Sequence, residues 1–197
     1  LFVTLFTLSA FAQETGGGGS VGPNVPNFSV RAGYRVELAA DNLDEARFLQ
    51  FGENCVLYLS EPAHRTIVAL RDSNGNGVYE TRANFVAGKP SVQGMDFHDG
   101  WLYFTQAADG SVHKARDTNN DGVADDVVEI LPPNSLPTGG GHPFEGIAIN
   151  DQYIYITVSD PSNMLDELPS ERKCVYRFNL DGSGKIQYAT GIRNTEK

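Results

Sequence analysis

One short pattern recurs three times and fixes most of what this chain can become. Leu57-Tyr58-Leu59-Ser60, Leu102-Tyr103-Phe104-Thr105 and Ile154-Tyr155-Ile156-Thr157 each read apolar, Tyr, apolar, hydroxyl, and they lie 45 and 52 residues apart. A shorter apolar run precedes each of them across a turn: Phe48-Leu49-Gln50-Phe51, Met95-Asp96-Phe97 and Ile147-Ala148-Ile149. A third strand-like run follows, at residues 66–70, 111–115 and 174–178, and a fourth closes each unit, at 81–85, 126–130 and 184–188. Apolar and polar residues alternate with the period of strands. No ten-residue helical pattern occurs anywhere. Units of roughly 40–50 residues holding four short strands are the sequence mark of propeller blades. The predicted fold is therefore all-β, with about three four-stranded blades. A closed ring takes about 4–8 blades, so the expectation is a fragment holding about half a propeller. Residues 34–39 also alternate and are expected to be an outer strand of a blade whose remainder lies beyond this chain.

Composition narrows the function classes. With 197 residues, 40% of them hydrophobic and 20% charged, the chain is long enough for one cored domain and too apolar to be disordered. The net charge of −10 argues against nucleic acid and against anionic membrane surfaces as partners. Residues 1–12 form an apolar run ending in Ala10-Phe11-Ala12, which reads as an incomplete export signal too short to span a bilayer. The expected location is secreted or periplasmic. Residues 13–27, with Gly16-Gly17-Gly18-Gly19-Ser20, read as a linker, and 28–197 as the propeller part. Cys55 and Cys174 are the two cysteines, and each is expected to be a separately buried thiol rather than half of a disulfide.

The richest stretch for chemistry runs from Thr138 to Asn163. Gly139-Gly140-Gly141 precede His142, a short strand and a turn at Asn150-Asp151-Gln152 follow, and the next strand stops at Ser159-Asp160-Pro161. If the two strands pair, the start of the first and the end of the second are neighbours, and Asp160 can orient His142 as a general base. Alternatively, the loop histidine and the strand-end aspartate never meet. His64, His98 and His113 suggest no role.

Two turns between third and fourth strands carry oxygen side chains at alternate positions. In the first these are Asp72, Asn74, Asn76 and Glu80, and in the second Asp117, Asn119, Asp121 and Asp125, each set with Gly at the sixth position. This is the first half of a calcium loop, but Ala83 and Val128 stand where its closing Glu would be. The same residues also favour plain hairpin turns, so structural calcium and a simple turn are both open readings.

Taken together, the run from Tyr34-Arg35-Val36-Glu37-Leu38 through these loops to Gly139-Gly140-Gly141-His142-Pro143, and above all the ending 189–197 with Gly191-Ile192-Arg193-Asn194-Thr195-Glu196-Lys197, resembles the quinoprotein sugar dehydrogenases. The resemblance covers residues 28–197 as the N-terminal half of a six-bladed propeller, and lies closer to the sorbosone and pyranose branch than to the soluble glucose dehydrogenases. It implies pyrroloquinoline quinone (PQQ) and calcium as cofactors. It implies that a sugar, or a related aldehyde or alcohol, loses a proton to His142 while hydride passes to the quinone C5. Asp160 matches the carboxylate that aims that histidine. Arg193 matches the residue that meets negative charge developing at C5, and Asn194 lies beside it at the cofactor. Electrons would leave to an external acceptor such as a cytochrome or a quinone. The Gly-rich segment before His142, and Pro161-Ser162-Asn163 after Asp160, depart from the glucose dehydrogenase pattern, so the substrate does not transfer. Two other readings remain: a calcium-dependent lactonase-type propeller hydrolase, which would not need Arg193, and a non-catalytic propeller that serves as a binding module. The 197-residue chain alone is expected to be poorly soluble and not to hold quinone.

Overall fold

The computed structural model of the chain describes residues 2–10 (backbone only), 29–140, 145–162 and 171–193. Strand β1 (Phe2–Ala10) pairs antiparallel with β2 (Tyr34–Asp44) as a two-stranded sheet. Three four-stranded antiparallel sheets follow. Blade I contains β3 (Leu49–Phe51), β4 (Leu57–Glu61), β5 (Thr66–Arg71) and β6 (Thr81–Ala87). Blade II contains β7 (Val92–His98), β8 (Trp101–Gln106), β9 (Ser111–Arg116) and β10 (Asp126–Leu131). Blade III contains β11 (Ile147–Ile149), β12 (Tyr153–Val158), β13 (Cys174–Asn179) and β14 (Ile186–Thr190). Within each blade the strands neighbour one another in chain order. Among the described residues there is no α-helix, only a 3-10 turn at Glu53–Cys55.

The blades stack because successive residues of a strand point to opposite faces. In β8, Leu102 and Phe104 face blade I, where they meet Tyr58, Ile67, Ala69 and Phe85. Tyr103, between them, faces blade III with Val112, against Ile154, Ile156, Tyr176 and Phe178. Sliding β8 by one residue would exchange the two sets, so both cores fix one register. Each fully buried Leu, Ile or Phe contributes about 1.5–3 kcal/mol, which is why a blade covered on both faces is mostly apolar. The other face of blade I packs Leu57, Leu59, Val68 and Leu70 under Ala40 and Leu43 of β2.

The stretch from Tyr34 continues to Asp44 and pairs with β1, in register from Phe2↔Asp44 to Ala10↔Tyr34. One sequence expectation changes here. Cys174 is buried as expected, but Cys55 is exposed, because the 3-10 turn holds it at positive φ outside the strand core.

Candidate functional site

Each blade has two ends. We call upper the end at which β11 begins and β12 stops. Antiparallel pairing then places the starts of β7, β9 and β13 and the ends of β8 and β14 at the upper end as well. Gly146, just before β11, exchanges hydrogen bonds with Thr157 near the end of β12: its amide donates to Thr157 Oγ1 at 2.8 Å and its carbonyl accepts from the Thr157 amide at 3.0 Å. Gly140 lies against Pro161 so closely that a Cβ on it would sit 2.9 Å from the Pro161 Cα. The described residues flanking His142 are therefore adjacent to the described residues flanking Asp160. His142 itself, like Asn194, lies outside the described residues.

Asp160 and Arg193 are brought together. The Asp160 amide donates to the Arg193 carbonyl at 2.7 Å, and the Ile192 amide donates to the Lys173 carbonyl at 3.0 Å. The Asp160 carboxylate is 4% exposed. Lys173 Nζ lies 2.9 Å from its Oδ2, and Oδ1 accepts from the Ser162 amide at 2.8 Å. Burial pushes this carboxyl up, but the Ser162 amide and the Lys173 ammonium outweigh it and hold the group below its ordinary range. Asp160 is thus a firmly ionised acceptor. The Ser162 hydroxyl lies 3.3 Å from the same Oδ1.

Sequence reasoning missed three side chains here. Lys173 was passed over because an isolated lysine before a strand carries no motif. Gln93 is 5% exposed, and its Oε1 accepts no hydrogen bond. Glu145 is 3% exposed, and its Oε2 likewise lacks a donor. Burial raises the Glu145 carboxyl to about 8, against the pull of Arg172, so it holds a proton at neutral pH. Its main chain is clamped to blade II: its carbonyl accepts from the Gly94 amide at 3.0 Å and from Thr105 Oγ1 at 2.9 Å. Only a glycine fits at 94, since a Cβ there would meet that carbonyl oxygen at 2.3 Å. An acid two positions before the apolar run of β11 was the one available signal.

The two oxygen-rich loops sit at the lower end, between β5 and β6 and between β9 and β10. In the first, Asp72 accepts amides from Gly75 and Gly77, both at 2.7 Å, and Glu80 accepts from Ser73 at 3.1 Å. These bonds pull both carboxyls below their usual range. The second loop repeats the pattern, with Asp117 accepting from Asn120 and Gly122 and Asp125 accepting from Thr118. It differs in one respect. Arg71 of blade I reaches across with its guanidinium 3.0 Å from Asp117 Oδ2 and donates to the carbonyl and side-chain oxygens of Asn120 at 2.9 and 2.8 Å. A cation from the chain itself already serves that loop. Among the described residues no group of three or more His, Cys, Asp or Glu is arranged to hold a metal ion. No helix among the described residues is long and apolar enough to cross a membrane.

This architecture, stacked four-stranded blades with their connecting segments gathered at two ends, is that of a β-propeller. Among solved structures it is similar to the holo form of the PQQ domain of pyranose dehydrogenase from Coprinopsis cinerea, with a TM-score of 0.67 and 16% identity over 83% of this chain and 40% of that one. It is similar to the PQQ-bound aldose sugar dehydrogenase of Streptomyces coelicolor, with a TM-score of 0.52 and 14% identity over 96% of this chain and 56% of that one. A Trichoderma reesei protein of carbohydrate-active enzyme family AA12 gives a TM-score of 0.55 and 10% identity over 91% of this chain and 40% of the other. At these identities the likeness is one of fold, and it is the fold that the sequence resemblance implied. The chain spans about half the length of these structures or less. No protein-family model matches the chain, and no curated protein matches it in sequence.

Proposed function

We propose that this chain carries the general-base side of a PQQ-dependent oxidation of a sugar or a related aldehyde or alcohol. The observation that carries the reading is the meeting of Asp160, Lys173 and Arg193 at the upper end, beside the segments that flank His142. The similarity in fold to PQQ-bearing sugar dehydrogenases supports it. When bound, PQQ supplies a carbonyl carbon that accepts hydride. His142 takes the proton from the substrate hydroxyl, which an imidazole can do near neutrality. Asp160, kept ionised by Lys173 and Ser162, holds the far ring nitrogen and stabilises the imidazolium. Arg193 supplies fixed positive charge where negative charge grows in the transition state.

The residues present fit a polar ligand. The Gln93 and Glu145 oxygens are buried at the upper end without donors, and a protonated Glu145 carboxyl can itself donate. Asn194 would add an amide contact to the cofactor. Structural calcium is proposed at Asp72, Asn74, Asn76 and Glu80. The matching set Asp117, Asn119, Asp121 and Asp125 is the weaker site, because Arg71 already meets it. Export to the periplasm or cell exterior is proposed from the N-terminal stretch, and an external cytochrome or quinone as electron acceptor from the family resemblance.

The deciding experiment adds PQQ and calcium to the full-length protein that contains this chain, since the 197 residues alone are expected not to hold quinone, and follows the quinone absorbance and dye reduction across a panel of aldoses and aldehydes. Bleaching by at least one substrate, lost in His142→Ala and strongly reduced in Asp160→Asn, is the expected result. An unchanged spectrum with every substrate would overturn the reading in favour of a hydrolase or a binding module.

A further inference from the structure

Blades I and II are fastened at their upper end by a contact that the proposed chemistry does not use. Lys89, in the connection from β6 to β7, brings its Nζ to 3.4 Å from Nε2 of His113 in β9. His113 is 4% exposed and stacks on Phe104, with ring centroids 5.4 Å apart, beside the core between the two blades. The same Nε2 lies 3.0 Å from the Ser111 hydroxyl. That hydroxyl donates to Asp109 Oδ1 at 2.6 Å, where the Ser111 amide also donates at 3.0 Å. Gln106 Nε2 donates to the other oxygen, Asp109 Oδ2, at 2.8 Å.

One ring nitrogen thus faces two partners with opposite demands. A lysine ammonium carries only donors, so it needs a bare lone pair at Nε2. The Ser111 hydroxyl commits its single proton to Asp109, so toward the ring it can only accept, and it needs an N–H at Nε2. His113 can satisfy one of them at a time. A neutral imidazole can carry its proton on either nitrogen, whereas a protonated one carries a proton on both. Acid therefore fixes the choice. Nε2–H turns to Ser111, whose bond to Asp109 is already in place, and Lys89 is left facing a donor and a like charge.

We propose that the Lys89–His113 contact is a pH-sensitive fastening between blades I and II, closed while His113 is neutral and released when it is protonated. Burial holds the imidazole below its ordinary 6.5 and the Lys89 ammonium adds to this, while Glu129 on β10 and Asp109 on the β8–β9 turn pull the other way. The unfolded chain takes up the proton first, so stability is highest above 6.5 and falls as pH drops toward the folded value. The release is local. On either side of the contact the Lys89 amide donates to the Arg65 carbonyl at 2.9 Å, and the Ser91 carbonyl accepts from the Ala107 amide at 3.0 Å. The connection that Lys89 pins leads directly into Gln93 and Gly94. The fastening stands whether or not the redox reading does.

The test uses the full-length protein that contains this chain. NMR of the histidine rings follows His113, its signal assigned by its absence in His113→Gln. The expected midpoint lies below 6.5. It rises by about one pH unit in Lys89→Met and stays low in Lys89→Arg, which keeps the charge. Hydrogen exchange read by mass spectrometry follows the connection itself. Between about pH 8 and about pH 5, protection of the peptide spanning 87–92, corrected for intrinsic exchange, should fall about tenfold with the midpoint of the ring. It should not fall in His113→Gln or in Lys89→Met, whose side chain lies outside the core. A ring midpoint unmoved by Lys89→Met, or a loss of protection in Lys89→Met as large as in the parent protein, would overturn the proposal.

Discussion

The main-chain amide of Asp160 donates to the carbonyl of Arg193 at 2.7 Å, joining residues 33 positions apart in the chain. The bond ties the segment after β12 to the segment after β14. Lys173, from the start of β13, closes the same junction through the Asp160 carboxylate at 2.9 Å. The two ends of the β12–β13 connection and the segment after β14 thus meet at one point, and that point is where base and charge-stabilising roles are proposed. We predict that Lys173→Met lowers activity by misplacing Asp160. The sign of its pH effect is also fixed. The Asp160 carboxyl is depressed in the folded protein, so its stabilisation is present above the ordinary aspartate range and is lost as pH falls through the folded value. With the ammonium removed the depression shrinks, and the acid limb of a urea-midpoint profile should move to higher pH.

Glu145 gives the opposite slope. Its folded value of about 8 lies above the ordinary 4.5. Between those values the unfolded chain releases a proton that the folded chain keeps, so stability falls as pH rises and levels off above about 8. Glu145→Gln should flatten that part of the profile and raise stability at mildly alkaline pH by on the order of a few kcal/mol. An unchanged slope in the variant would show that Glu145 is not the group responsible.

Gly94→Ala should cost about 2–3 kcal/mol, because the added methyl carbon must displace the Glu145 carbonyl from blade II. Gly75→Ala, at a loop glycine with φ of 76° and no neighbour within 4 Å, should cost less, from backbone strain alone. Chemical denaturation of the two variants side by side tests the difference.

Calcium should raise Tm by binding the folded first loop in preference to the unfolded chain. Asp72→Asn should remove most of that rise. Asp117→Asn should remove little of it, since Arg71 already neutralises that loop. Equal losses in both variants would show that the guanidinium does not distinguish the two turns.

One cysteine should react with a thiol reagent in the native protein and two after denaturation. Cys55 is exposed and Cys174 is fully buried. Cys55→Ser should abolish the native reaction.

Much of the fold was legible because each blade strand carries its own alternating pattern. The runs at 147–149 and 153–158 match β11 and β12, and most other strands differ from expectation by a residue or two at their ends. What the pattern could not give was pairing between segments distant in sequence. Residues 34–39 alternate like any outer strand, and nothing within them says that their partner is Phe2–Ala10. Motifs in the sequence pointed to Asp160 and Arg193, which the structure joins through their main chains. The site was not legible at Lys173, whose part follows from a loop closing in space, or at Glu145 and Gln93, whose meaning lies in being buried without partners. The same applies to Arg71, which is unremarked in sequence yet sets the two oxygen-rich loops apart.

The double clamp on the Glu145 carbonyl has a mechanical consequence. Gly94 and Thr105 belong to blade II, while the residues on either side of Glu145 lead into β11 and back toward position 142. Blade II is therefore the fulcrum on which that stretch of backbone turns. A substitution on the buried face of the second sheet, with no contact to any ligand, would be transmitted to Glu145 and the start of β11.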